Sequence, residues 1–403
     1  MTTLFSRRAP RAGSGRRALL FVLAGNMLID ALEVSVMLVA LPAMGRDLGL
    51  SAVAGQWVMS GFAAGFAALL LLGPRLVARW GRRRVYLAAL PVFIAASVAG
   101  GFSDQGAVLI ATRVVKGMCA ALTAPTGLGI ISTAYLPGPE QRRAVSVYSL
   151  FGAAGFTAGL LASGALTGLS WRWNPVFPAP FALLLLIVGV RLIPPDTAPT
   201  AAAPLRATLA RLVRNGPFVR SAVCAATLNG TYLGLLLLLT HWLHDQWGWS
   251  SWRTALAFLP ACVPLAFALP FTGRMVGRFG TERLIAAGGC AAAAGCVTTL
   301  LTGPPETYVT GVLPALLCVE TGFVLSFAAL NLQATSGMSP EHRGAAVPVY
   351  QTAVQLGPLL ALPAVTAAVT GGYRQALLLL TALSTAGALA TGPSRLLKAH
   401  ETP

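Results

Sequence analysis

This sequence is short of charge. Only 10% of its 403 residues are Asp, Glu, Lys or Arg, against about 25% in an ordinary soluble domain. Such a chain cannot cover a globular core with a charged surface. With 56% hydrophobic residues and a mean hydropathy of +0.72, it reads as an all-α polytopic membrane protein in contact with a lipid bilayer. Lysine is almost missing, at Lys116 and Lys398 alone. The six cysteines (Cys119, Cys224, Cys262, Cys290, Cys296 and Cys318) all fall in apolar stretches. None stands in a CxxC or Cys/His spacing, which excludes a metal centre or disulfide framework and leaves packing roles. No Walker sequence occurs, so ATP is not the energy source. No nucleophile elbow or Ser/His/Asp pattern points to hydrolysis, so the chain is not read as an enzyme and needs no cofactor.

What is present is a succession of apolar segments. At roughly 20 apolar residues per crossing, about twelve candidate spans lie near 18–43, 53–72, 84–102, 106–135, 144–169, 175–193, 218–243, 252–272, 284–302, 308–334, 345–370 and 375–392. Gly, Ala and Ser are dense around 114–135 and 151–168, which favours close helix approach in lipid. The net charge of +17 invites a nucleic-acid reading, but its distribution excludes one. With the amino terminus inside and the spans alternating, the inner segments hold most of the arginines, among them Arg75, Arg79, Arg82, Arg83 and Arg84. The outer segments hold only Arg46, Arg172, Arg253 and Arg374. That bias is the positive-inside pattern, and it puts both termini in the cytoplasm of a cell-membrane protein. Trp171, Trp173, Trp242, Trp247, Trp249 and Trp252 gather at outer ends, as interfacial aromatics do.

The spans divide into two sets of six. The expected layout is a basic cytoplasmic tail over 1–17, a six-helix bundle over 18–193, a Pro/Ala-rich cytoplasmic linker over 194–217, a second bundle over 218–392 and a tail over 393–403. An internal repeat supports this division. RLVARWGRRR at 75–84 recurs as RMVGRFGTER at 274–283, and PEQRRA at 139–144 recurs as PEHRGA at 340–345. Both pairs fall on predicted inner loops at nearly one offset, the signature of a transporter built from two pseudo-symmetric repeats with a site between them.

Ionisable groups inside spans are expensive and therefore informative. Asp30 and Glu33 stand in the first span, at i and i+3 on one helical face. Arg113 and Lys116 repeat that spacing in the fourth span, and Glu320 is the lone acid of the tenth. Asn26, Asn229, Tyr232, Asn331, Gln333, Gln351 and Gln355 add polar groups at membrane depth, either as cavity contacts or as hydrogen-bonded links between helices.

Several of these stretches resemble the major facilitator superfamily. PRLVARWGRR is similar to its signature loop between helices two and three: Leu76, Arg79, Gly81, Arg82 and Arg83 match, while Pro74 and Ala78 replace the usual Gly and Asp. RVVKGMCAA resembles the helix-four motif through Arg113, Gly117 and Ala121, with Lys116 in place of Gln. In LEVSVMLVALPAM, Glu33 and Pro42 keep the spacing of the first-helix motif of the drug:proton antiporters, and Asp30 is an additional acid. GFTAGLLASG resembles the helix-five antiporter motif, with Leu160 and Ser163 at its Pro and first paired Gly. TGLSWRWNPVF is similar to an outer loop of the larger drug exporters.

The resemblance implies the major facilitator fold, with helices one and four lining a central cavity. It implies a monomeric, proton-coupled secondary exporter of small, partly hydrophobic compounds such as drugs, antibiotics or secondary metabolites, working by alternating access and driven by the proton gradient. Asp30, Glu33 and Glu320 are then the proton-coupling acids. Arg113 and Lys116 are the cavity cations that tune Asp30 and Glu33, while Glu320 is a second site for a proton or for substrate. Arg75, Arg79, Gly81, Arg82 and Arg83 form a conformational-switch loop. A proton-coupled importer or symporter is the alternative, and a non-transporting membrane sensor a more distant one.

Overall fold

The computed structural model describes residues 14–135, 139–194, 205–268, 271–336, 338 and 340–390. Most of the amino-terminal tail, with the first part of the linker and the tail over 393–403, lies outside them. Among the described residues long helices stand at all twelve expected spans. They are α1 (Ser14–Ser35), α3 (Ala52–Leu70), α5 (Arg82–Gly101), α6 (Gly106–Ala134), α7 (Pro139–Leu169) and α9 (Pro178–Leu192) in the first half. The second half supplies α11 (Gly216–Asp245), α12 (Ser251–Ala268), α14 (Thr281–Thr302), α15 (Leu313–Thr335), α16 (Pro340–Thr370) and α17 (Tyr373–Ala390). Ten helical spans among the described residues have the length and hydropathy to cross a membrane. The helices α12 and α17, each 18 residues long, fill the other two positions.

Short helices mark the connections: α2 (Leu41–Asp47), α4 (Gly73–Trp80), α8 (Trp173–Val176), α10 (Leu205–Val213) and α13 (Thr272–Phe279). The described part of the linker is therefore helical, and α10 packs on α11 and α16. The repeat is visible in the backbone. Gly81 separates α4 from α5 at φ +84°, and Gly280 separates α13 from α14 at φ +77°. Both have ψ near extended values, 155° and 161°, a region open in practice only to glycine.

The first span is not one helix. It ends at Ser35, passes through turns over 36–40, and resumes at Leu41. Pro42 has no N–H to continue the ladder. The Ser35 hydroxyl donates to Phe156 O at 2.7 Å, tying the break to α7. Small residues set the neighbouring crossings. A Cβ on Gly155 would lie 2.3 Å from Leu28 O, so α7 meets α1 backbone to backbone. A Cβ on Gly117 would lie 2.1 Å from Phe62 O, and α6 meets α3 in the same way.

The hydrophobic interior is shared unevenly. At the end carrying Trp171 and Trp249, one buried cluster draws on both halves, from Val36–Met44 and Leu160 to Leu235–Leu239, Phe258 and Leu377. At the basic-loop end the halves keep separate cores. One is built around Tyr86, Phe93, Ile131 and Tyr148, the other around Phe218, Ile285, Leu330 and Tyr350. The Trp end is also latched by polar contacts. Arg46 of α2 meets His244 Nε2 of α11 across the halves. Trp171 Nε1 donates to Asp47 at 2.7 Å, and Arg172 reaches Asp104 at 2.7 Å.

Candidate functional site

The site is assembled where α1 crosses α6. Arg113 and Lys116 are 1% and 0% exposed, and both converge on Glu33, itself 0% exposed. The Arg113 guanidinium bonds Glu33 Oε2 through Nη1. Its Nη2 donates to the Glu33 backbone carbonyl at 2.8 Å, and its Nε to Val58 O at 2.8 Å. Lys116 Nζ stands 2.6 Å from Glu33 Oε1 and donates to Pro175 O at 3.1 Å. Aromatic faces cover the remaining sides. The Arg113 guanidinium lies 5.0 Å from the centre of the Phe62 ring, and Lys116 Nζ 4.8 Å from that of Phe93. One carboxylate thus serves two cations, and the cluster carries a net charge of +1 with no solvent contact.

Asp30 is placed differently. It is 8% exposed, and one oxygen, Oδ2, accepts from Asn26 Nδ2 at 2.9 Å and from Thr123 Oγ1 at 3.1 Å. Among the described residues no cation pairs with it. Its other electrostatic neighbours are Glu33, Tyr86, Tyr148 and Cys119. The i and i+3 spacing on each helix predicts that both helix-four cations serve both acids. The structure gives both to Glu33. Arg113 and Lys116 are therefore buried ligands of Glu33 and do not line an open cavity. Thr123 was not anticipated. It lies seven residues past Lys116 and ten past Arg113, on the same face of α6, a spacing that was available to find it.

Glu320 stands apart, in the second half. It is 1% exposed, and the Tyr232 hydroxyl is the polar group within its reach. Tyr232 and Cys262 are within electrostatic reach. The polar candidates split into kinds. Asn26 belongs to the Asp30 group. Asn229 donates to Val354 O at 3.2 Å, linking α11 to α16. Gln351 reaches Asn331 Oδ1 at 3.4 Å, and Gln333 accepts from Ser221 at 3.2 Å. These three contacts join helices of the second half and lie away from the Asp30–Glu33 cluster. Gln355 is half-buried on α16. In the basic loop Arg75 and Arg79 are exposed. Arg82 donates to Gly129 O at 3.4 Å and Arg83 to Val190 O at 2.6 Å, tying the start of α5 to α6 and α9.

An internally repeated helical bundle with ionisable groups buried at mid-depth is the build of a membrane transporter. The chain belongs to the Major Facilitator Superfamily, whose family model matches residues 23–392. A puromycin resistance protein of Streptomyces alboniger is 30% identical, over 88% of this chain and 81% of its own length. A cephamycin export protein of Amycolatopsis lactamdurans is 28% identical over 90% of this chain and 87% of its own. The fold is that of a crystal structure of the nucleoside transporter NupG, with a TM-score of 0.75 at 13% identity, covering 93% of this chain and 98% of that one. The chain is thus a multi-pass membrane transporter with antibiotic exporters among its relatives.

Proposed function

We propose that this protein is a proton-coupled secondary exporter of small, partly hydrophobic compounds, an antibiotic or other drug-like metabolite, working by alternating access as a monomer in the cytoplasmic membrane. The observation that carries the proposal is the division of labour between two acids one turn apart. Glu33 is held by two buried cations, while Asp30 has only neutral donors. A proton carrier must gain and lose its charge during each cycle. Glu33 cannot do so without stranding Arg113 and Lys116, whereas Asp30 can.

Conformation supports the same reading. The basic loops mark the end with separate cores as cytoplasmic, with both termini there. The halves are joined at the opposite, outer end. An inward-facing form would be built in this way, and Asp30 borders the core that holds Tyr86 and Tyr148 on that side. Relatives named for puromycin resistance and cephamycin export support export as the direction. The energy source is the proton gradient, without a bound cofactor.

The test uses everted membrane vesicles with an acidified lumen and puromycin as the probe. The expected result is accumulation of puromycin that an uncoupler abolishes, with alkalinisation of the lumen on drug addition. Accumulation insensitive to the uncoupler, or protons moving in the same direction as the drug, would overturn the proposal; the latter result would establish a symporter.

A further inference from the structure

The cluster of Glu33, Arg113 and Lys116 holds one positive charge in excess, fully buried. A buried charge without a counter-charge is costly. Of the three groups, Lys116 is the one that can remove the excess. An arginine guanidinium keeps its proton in proteins, whereas a lysine ammonium can release one. Discharging Glu33 would strand both cations. A neutral Lys116 leaves Glu33 and Arg113 paired one to one, and its amine still has two N–H bonds for Glu33 Oε1 and Pro175 O. The lysine is this chain's own, since the helix-four motif that it resembles has Gln at this position.

The flanks of Lys116 differ. Towards the tryptophan end, Phe93 of α5 lies against Lys116, and a Cβ on Gly100 of α5 would lie 2.8 Å from Thr112 Oγ1 and 3.5 Å from Pro175 Cβ. Ser97 stands between Phe93 and Gly100, about one turn from each on the same face. Its hydroxyl is fully buried without a hydrogen-bond partner. Asn174, next to Pro175, gives its Nδ2 to Thr167 Oγ1 at 2.8 Å, and its Oδ1 is also buried without a partner. Buried polar atoms of this kind hold ordered water. Arg172, two residues before Asn174, has a side chain 34% exposed, so the surface is close. On the other flank, Cys119 is an electrostatic neighbour of both Lys116 and Asp30, and Thr123 one turn further on donates to Asp30 at 3.1 Å. Along α6 from the tryptophan end, the order is therefore the two unpartnered polar atoms, Lys116, and Asp30. The charged and titratable groups around Lys116 are Glu33 of α1 and Arg113 and Cys119 of α6. Its contacts with α5 and α8 are a phenyl ring and a carbonyl.

We infer that Lys116 is a proton relay, fed from the tryptophan end by water held on Asn174 and Ser97 and delivering to Asp30. This deepens the reading as a proton-coupled exporter and rests on it. In the delivering step an N–H bond of the Lys116 ammonium breaks and an O–H bond forms on Asp30, leaving a neutral amine and a neutral acid. The amine lone pair then takes a proton passed along the water from the outer solution, and the ammonium is restored. The route runs between α5, α6 and α8 inside the first half, apart from the interface of the two halves. Relay and acceptor act in series, so neither moves protons across the membrane without the other.

The experiment compares two rates in proteoliposomes: drug-linked proton movement, read with an enclosed pH-sensitive dye, and exchange of labelled for unlabelled puromycin, which needs no net proton transfer. Lys116→Arg keeps the charge but cannot release the proton, and Lys116→Gln removes the charge while leaving Glu33 and Arg113 paired. Both should exchange puromycin within about twofold of the wild-type rate and lose at least tenfold in proton movement. Ser97→Ala, which removes a hydroxyl that no part of the fold uses, should slow proton movement at least threefold with exchange and melting temperature unchanged. Proton movement at the wild-type rate in Lys116→Arg or Lys116→Gln overturns the relay, and in Ser97→Ala it overturns the route. Loss of exchange together with proton movement in both Lys116 variants would make Lys116 a structural residue and also overturn the inference. If the wild type itself moves no protons with the drug, the proton-coupled reading fails and the relay with it; if the wild type does so and Lys116→Arg equals it, the relay alone fails.

Discussion

Replacing Glu33 with Gln removes the carboxylate that both Arg113 and Lys116 touch, and leaves two fully buried cations facing a neutral amide. Breaking one buried ion pair by deleting a partner costs about 3–5 kcal/mol, because the remaining charge is stranded. Here two cations lose the same partner, although Arg113 keeps its bonds to Val58 O and Glu33 O, and Lys116 keeps Pro175 O. The net loss is therefore set at about the cost of one such pair, near 4 kcal/mol. That is a large part of the 5–15 kcal/mol by which folded proteins usually exceed their unfolded state. Asp30→Asn presents the opposite case. An asparagine oxygen still accepts from Asn26 and Thr123, so the change is limited to about 1 kcal/mol. Fluorescence-detected size-exclusion chromatography with thermal challenge should therefore show a strongly lowered melting temperature for Glu33→Gln and a nearly unchanged one for Asp30→Asn. Adding Lys116→Met to Glu33→Gln should recover part of the loss by removing one stranded charge. A Glu33→Gln protein as stable as wild type would refute the reasoning that Glu33 is the fixed counter-charge of the site.

Other expectations follow from single contacts. Gly155→Ala places a Cβ 2.3 Å from Leu28 O, so α7 must move off α1; about 1–3 kcal/mol of stability is lost, and transport falls with it. Gly81→Ala forces a side chain into φ +84°, ψ 155°, costing about 1–3 kcal/mol, again read as a lowered melting temperature. Arg46→Ala removes the contact with His244 that crosses the halves, and hydrogen exchange over residues 41–48 and 242–249 should rise. Unchanged exchange would mean that the seal at the tryptophan end rests on its apolar cluster alone.

The parts of the fold that depend on hydropathy and charge were legible in the chain. The twelve span positions, the Gly81 and Gly280 loops and the gathering of tryptophans at one end all follow from such patterns. The break after Ser35 was not, since it is completed by a bond to Phe156, 121 residues away in sequence. Pro42 was its local sign. At the site, i and i+3 spacing was enough to bring Glu33, Arg113 and Lys116 together. Spacing says nothing about the rotation of one helix against another, and that rotation decides that Glu33 takes both cations and Asp30 takes none. Phe156 could not be joined to Tyr232 from sequence, because their ring contact, 5.8 Å between centroids, exists only when the two halves dock.

Proteoliposomes loaded with a pH-sensitive dye and carrying wild-type or Asp30→Asn protein test the role of Asp30 most directly. The wild type should move protons in exchange for puromycin and concentrate the drug against a gradient. Asp30→Asn should still exchange labelled for unlabelled puromycin across the membrane, yet move no protons and build no gradient. Drug-linked proton movement at the wild-type rate in Asp30→Asn would contradict the account.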